Sequence, residues 1–191
     1  MKNRFIILTL APIIFSGCIS VKTKSAKVID SEVEGLEYQC AGLSNYTDKN
    51  GTATCKHMPL AFKIGEIKLG VIYKMPKDGI ILPQDIAKVS RDKIYDKNVI
   101  KITTILQSLD EDHNPNNGIK ITKEVRDKLS KQFIDIKKES LVDIKDLIES
   151  ELGDINFTTA KSSITHLHKS MRKYNIKSTP KLDENRLLEL D

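Results

Sequence analysis

The side chains of this chain that could do chemistry together crowd into one stretch, LQSLDEDHNPNNGIKIT, Leu106 to Thr122. Carboxylates stand at Asp110, Glu111 and Asp112, amides follow at Asn114, Asn116 and Asn117, and Gly118 closes the group. Hard oxygen donors at alternate positions are what a calcium ion takes. Counted from Asp110, the alternate positions are Asp110, Asp112 and Asn114, as in the first half of an EF-hand loop. The sixth place, where that loop has Gly, is Pro115. The twelfth, where it has a bidentate Glu, is Ile121, and the next carboxylate, Glu124, comes two residues late. The residues Gly118 to Ile121 fit a short strand displaced from its usual place. The stretch is therefore no EF-hand, and two readings stay open. One is a variant calcium loop with Asp110, Asp112, Asn114 and Asn117 as ligands. The other is an ordered turn, in which Asp and Asn side chains bond nearby backbone N–H groups and Gly118 supplies an unusual dihedral.

Elsewhere the chemistry is thinner. The histidines are His57, His113, His166 and His168. Residues two apart on a helix point about 200° from each other, so His166 and His168 cannot clamp one metal. Zinc spacing of Cys and His is absent. No G-x-S-x-G, H-E-x-x-H or phosphate-cradling glycine loop occurs. The paired acids Asp143/Asp146 and Glu149/Glu151 read as helix-surface charges opposite lysines. These features point to a protein that binds rather than catalyses. An envelope enzyme or enzyme inhibitor, with a site assembled from distant residues, is the alternative.

The N-terminus, MKNRFIILTLAPIIFSGCIS, has a positive start at Lys2 and Arg4 and an apolar run from Phe5 to Phe15. That run suits the core of a signal peptide and is too short to span a bilayer. The run ends in Phe15-Ser16-Gly17-Cys18, which resembles a bacterial lipobox. The resemblance implies cleavage after residue 17 and lipidation of Cys18 with acyl chains such as palmitate. The three cysteines agree with this, because an odd count in an exported chain needs an explanation. Cys40 and Cys55 fall in a segment that reads as one hairpin and can pair, which leaves Cys18 for the lipid. A disulfide also asks for an oxidising compartment. The expected location is the outer membrane or cell surface, with the membrane as partner through the anchor. No Asp follows Cys18, which fits outer-membrane sorting.

The whole chain carries 31 Lys and Arg against 26 Asp and Glu, and cleavage would remove two of the basic residues. The charges are interspersed, aromatics are 5% and Trp is absent. Nucleic-acid binding wants a concentrated basic face with stacking rings, so nucleic acid is not an expected partner. A protein or cell-surface partner is.

Residues 18–31 read as the lipidated terminus and a flexible tether, polar and without a strong period. Residues 32–80 read as a β part. GLEYQC and GTATC flank the turn Thr47 to Gly51, and AFKIGEIKLGVIY alternates Phe62, Ile64, Ile67, Leu69 and Val71 with polar or small residues around Gly65-Glu66. Gly in the first central position is the mark of a type II′ hairpin turn. Residues 81–175 read as helical. Pro83 suits the first turn of a short helix carrying Ile86 and Val89. Apolar stripes follow at Val99, Ile102, Ile105, Leu106 and Leu109; at Val125, Leu129, Phe133 and Ile136; at Leu141, Ile144, Leu147, Ile148 and Leu152; and at Ala160, Ile164, Leu167, Met171 and Tyr174. Ser140 and Asp143 are spaced as a capping box. Residues 176–191 read as a loose tail with a terminal helical turn. The expected fold is α+β: a small disulfide-stapled sheet of β-hairpins, then a bundle of four to five helices.

The order of motifs resembles a little-characterised bacterial cell-envelope module of exported proteins and lipoproteins. The matching residues are Gly35 to Tyr38, Thr47 to Gly51, Phe62 to Gly70, Pro83 to Asp85, Leu106 to Ile119 and the pair His166-Leu167. The likeness spans about residues 33–175. His113 stands where the module tends to have Gly, and Ala53 where an aromatic is usual. The resemblance implies an envelope component, sometimes joined to adhesive or ligand-binding domains, in which the acidic loop is a recurring design.

Overall fold

The computed structural model describes residues 22–131 and 133–190. The expected signal peptide and Cys18 lie outside the described residues. Two sheets and a layer of helices share one core that runs from Ala26 to Leu187. No helix among the described residues is long and apolar enough to cross a membrane.

The first sheet is built on β1, Lys24–Val28. Ala26 and Val28 turn inward while Lys24, Ser25 and Lys27 stay exposed, the period of a half-buried strand. β1 pairs antiparallel with β5, Thr52–Cys55, and parallel with β8, Ile80–Ile81. Residues 24–28 are thus not tether but the middle strand of a sheet, and Ile29 and Asp30 beyond the strand are fully buried. Two inward side chains among lysines and serine make too short a pattern to stand out in the sequence.

The second sheet has five strands in the order β10, β7, β6, β3, β4. Its centre is the hairpin of β6, Leu60–Ile64, and β7, Ile67–Ile72, which turns at Gly65-Glu66 with Gly65 at φ +59°. Leu60, Phe62 and Ile64 face the core and Lys63 does not. The expected first hairpin does not form. β3, Glu37–Cys40, pairs with β6 on one side and on the other with β4, Leu43–Tyr46, a strand whose side chains are all exposed. β4 buries nothing, so the sequence gives it no apolar signal. The Cys40–Cys55 disulfide therefore joins β3 of one sheet to β5 of the other.

A third pair is small and parallel: β2, Val33–Glu34, with β9, Ile119–Lys120. Gly35, just after β2, has φ +74°, and a Cβ there would stand 2.2 Å from the Ile121 carbonyl oxygen. Glycine is what lets the two segments meet.

α1, Pro83–Ala87, packs on β7 and on α2, Lys97–Ser108. α2 is central and buried on nearly every side; its polar Thr103, Thr104, Gln107 and Ser108 lie as deep as its apolar stripe. Asp96 caps it, accepting from the Asn98 and Val99 amides at 2.8 and 3.4 Å. α3, Lys123–Lys128, runs into a 3-10 turn at 129–131 and stops. The expected helix through Ile136 gives way to β10, Ile134–Asp135, parallel to β7. Ile134 and Ile136 are buried, Asp135 between them is not, and Phe133 is 64% exposed. Both periods fit these residues, and pairing with β7 selects the strand. α4, Leu141–Leu152, carries the expected capping box at Ser140 and Asp143. α5, Ala160–Lys173, packs along α2. α6, Glu184–Leu188, is no loose tail: Leu187 is buried, and the Asp183 amide donates to the Tyr95 hydroxyl at 2.8 Å. The chain is mixed α+β, but strands recur among the helices, and the helices gather around α2 instead of forming a separate bundle.

Candidate functional site

The acidic stretch follows α2 and leads into β9. Its near end is fixed by Asp110, whose side chain is only 3% exposed. Asp110 Oδ1 accepts from the Lys120 amide at 2.8 Å, while Oδ2 is buried without a hydrogen-bond partner. Burial, and then the nearby Asp112 carboxylate, raise the Asp110 carboxyl above its ordinary value. Asp112 is exposed and held low, chiefly by the Asn117 amide, which donates to Oδ2 at 2.8 Å, and by the Asn114 backbone N–H, which donates to Oδ1 at 3.0 Å. Asn114 Oδ1 accepts from the Asn116 side chain at 3.2 Å. His113 takes the left-handed conformation, φ +55°, that glycine would adopt without strain.

Of the four residues read as calcium ligands, Asp110 and Asp112 thus come together. Asn117 faces Asp112 with its amide N–H, and Asn114 turns to Asn116. Among the described residues no group of three or more His, Cys, Asp or Glu side chains is placed to hold a metal ion. A cation here would take carboxylate oxygens from Asp110 and Asp112 and fill its shell with amide or backbone oxygens and water, which calcium accepts.

The loop forms one wall of an open cleft of about 440 Å³. The opposite wall comes from residues distant in sequence: Glu32, Glu34, Lys49, Asn50 and Lys173. The C-terminal turns of α5 hold the two walls in place. Lys169 Nζ donates to Asn116 Oδ1 at 2.6 Å, Lys173 pairs with Glu32 at 3.5 Å, and the Tyr174 hydroxyl donates to Glu32. Burial opposes ionisation of Glu32, but Tyr174 and Lys173 outweigh it and keep Glu32 low. Lys169 and Lys173, one helical turn apart, were a visible polar stripe in the sequence. Their partners, some 50 and 140 residues away, were not.

Behind the cleft lies a second polar group that the sequence did not announce. Ser31, at φ +28°, donates to the Pro115 carbonyl at 2.5 Å and lies 3.1 Å from His166 Nε2. Ser170 Oγ is 3.3 Å from the same nitrogen. Burial, and then the charges of Lys169 and Lys173, push His166 down to about 4. A Ser beside a neutral His suggests a nucleophile, but the Ser31 proton is committed to Pro115, and Ser31 and His166 are 3% and 9% exposed. The arrangement ties the β1–β2 turn to α5 and to the acidic loop.

Comparison with protein families, with curated proteins and with solved structures gives no match.

Proposed function

We propose that this chain is a non-enzymatic, lipid-anchored component of the bacterial cell envelope that presents its polar cleft to a protein or surface partner, with a calcium ion set in the loop from Asp110 to Lys120. Cys18 carries the anchor in this reading, and Cys40 and Cys55 brace the exported domain. The observation that supports the binding role is Asp110. Its buried carboxylate leaves one oxygen without a partner beside the Asp112 carboxylate, in the wall of the polar cleft. An unpaired buried carboxylate oxygen costs free energy that a bound cation would offset. Asp112, Asn114 and Asn117 supply further oxygens within the same turn. A calcium-stiffened loop would hold Glu111 and Lys120, paired at 2.7 Å, in a fixed pose at the cleft rim.

The test is thermal unfolding of residues 22–191, oxidised, in EDTA and in calcium. A ligand that binds only the folded state adds about 2.7 kcal/mol at a hundredfold excess over its dissociation constant. Calcium is expected to raise the midpoint, and Asp110→Asn with Asp112→Ala to abolish the rise. An unchanged midpoint at saturating calcium would reduce the stretch to a structural turn and leave the cleft without its cation.

A further inference from the structure

The folded body has two chemically different ends, and the strand register shows which residues share each. Lys24 lies opposite Cys55, Cys55 is bonded to Cys40, Cys40 lies opposite both Leu43 and Leu60, and Leu60 lies opposite Ile72. These positions form one row across both sheets, at the end where β1 begins. The cleft, with Glu32 and Glu34, lies beyond the other end of β1.

The row carries a distinct surface. Leu43 is 70% and Tyr73 66% exposed, two of the most exposed large apolar side chains described. Lys22, Lys24, Lys56 and Lys74 are exposed around them. Lys88 Nζ sits 4.3 Å over the Tyr73 ring and adds its charge. The segments 22–29, 40–46, 55–60 and 72–77 contain no acid at all. The first acid after them, Asp78, is paired with Arg91. A tyrosine and a leucine set among lysines match the headgroup layer of an anionic bilayer, where tyrosine rings settle at the interface and lysines meet negative lipid charge.

The start of the chain points the same way. Six residue steps separate Cys18 from Lys24, a reach of at most about 20 Å even when fully extended. We infer that this basic, Leu43- and Tyr73-bearing end lies flat on an anionic membrane, with the acidic cleft facing away from it. The inference rests on the lipid-anchor reading for its orientation, and on the exposed side chains for its chemistry. An anchor makes the second contact intramolecular, so a surface that binds weakly by itself is enough to hold the orientation.

The test uses residues 22–191 without lipid, since that chain keeps the whole core from Ala26 to Leu187. Flotation with vesicles of phosphatidylethanolamine and phosphatidylglycerol is expected to carry the protein, and phosphatidylcholine vesicles are not. Binding is expected to fall about tenfold or more from low to high salt, as lysine contacts are screened. Leu43→Ser with Tyr73→Ser, and separately Lys56→Glu with Lys74→Glu, are expected to abolish it. Val142→Ser, at an equally exposed apolar residue on α4, is expected to leave it intact. No binding to anionic vesicles, or equal loss in the Val142 variant, overturns the inference. The mass of the N-terminal peptide from cell-made protein separates the two readings. Lipid on Cys18 without vesicle binding sinks the surface and keeps the anchor, whereas vesicle binding without lipid keeps the surface and sinks the anchor.

Discussion

Asp30 is fully buried, and burial pushes its carboxyl up to about 8, against weaker lowering by hydrogen bonds from Thr103 and Gln107. The native protein therefore keeps a proton that the unfolded chain begins to lose near its ordinary 3.8. The stability tied to this proton is complete below that value and declines as pH rises toward about 8. His166 has the opposite sign. Held down to about 4 from 6.5, it stays neutral while the unfolded chain protonates, so its contribution is full above 6.5 and is lost as pH falls toward 4. Asp30→Asn mimics the protonated acid. In urea unfolding its stability relative to the parent is expected to improve steadily from pH 5 to pH 8; a difference that does not change with pH would contradict the buried proton. Asp30→Ala, which also strands Gln107 and Thr103, is expected to be less stable than Asp30→Asn by about 1–3 kcal/mol at every pH.

Between elements, one close approach that depends on a single residue is at the β6–β7 turn. Gly65 has φ +59°, and a Cβ there would meet the Leu129 carbonyl carbon and oxygen at 2.5 Å. The next amide, Glu66, donates to the same oxygen at 3.0 Å. The turn thus docks on the end of α3 and stops that helix where the sequence pattern would have run on. Gly65→Ala is expected to destabilise by roughly 2 kcal/mol or more, from backbone strain plus collision. Gly42, in the β3–β4 turn at φ +81°, has nothing within 4 Å of its virtual Cβ. Gly42→Ala should cost only the strain, about 1 kcal/mol. Equal losses in chemical denaturation would show that the docking of the turn on α3 contributes nothing.

At the scale of the molecule, the Cys40–Cys55 bond is the covalent link between the two sheets, at the end proposed to face the membrane. Its loop spans 15 residues, for which the chain-entropy account gives about 3 kcal/mol. Replacing both cysteines by Ala is expected to lower stability by that order. Hydrogen exchange should then rise in β5 and β3 together, because each loses its tie to the other sheet; a loss confined to one strand would argue against the coupling.

Much of this was written in local sequence. The β6–β7 alternation, the stripe of α2 and the capping box of α4 depend on neighbours within one turn or one strand, whereas Cys40 and Cys55 do pair, but across two sheets and not within the local hairpin from which the pairing was read. Side-chain period and cap chemistry act at that range, so they can be read directly. The acidic loop was legible as a group of residues but not as a wall of a cleft. What only tertiary structure decided was every choice in which two local patterns were equally satisfied or none was strong. Lys24–Val28 became a strand because β5 and β8 flank it. Ile134 left the helical pattern because the edge of β7 was there to pair with. β4, with no buried side chain, exists through its hydrogen bonds to β3. Glu32, Asp30 and His166 gained their shifted acidities from burial and from partners far along the chain. Hydrogen-bonding edges and burial belong to the assembled fold, and a single sequence read in short windows carries no trace of them.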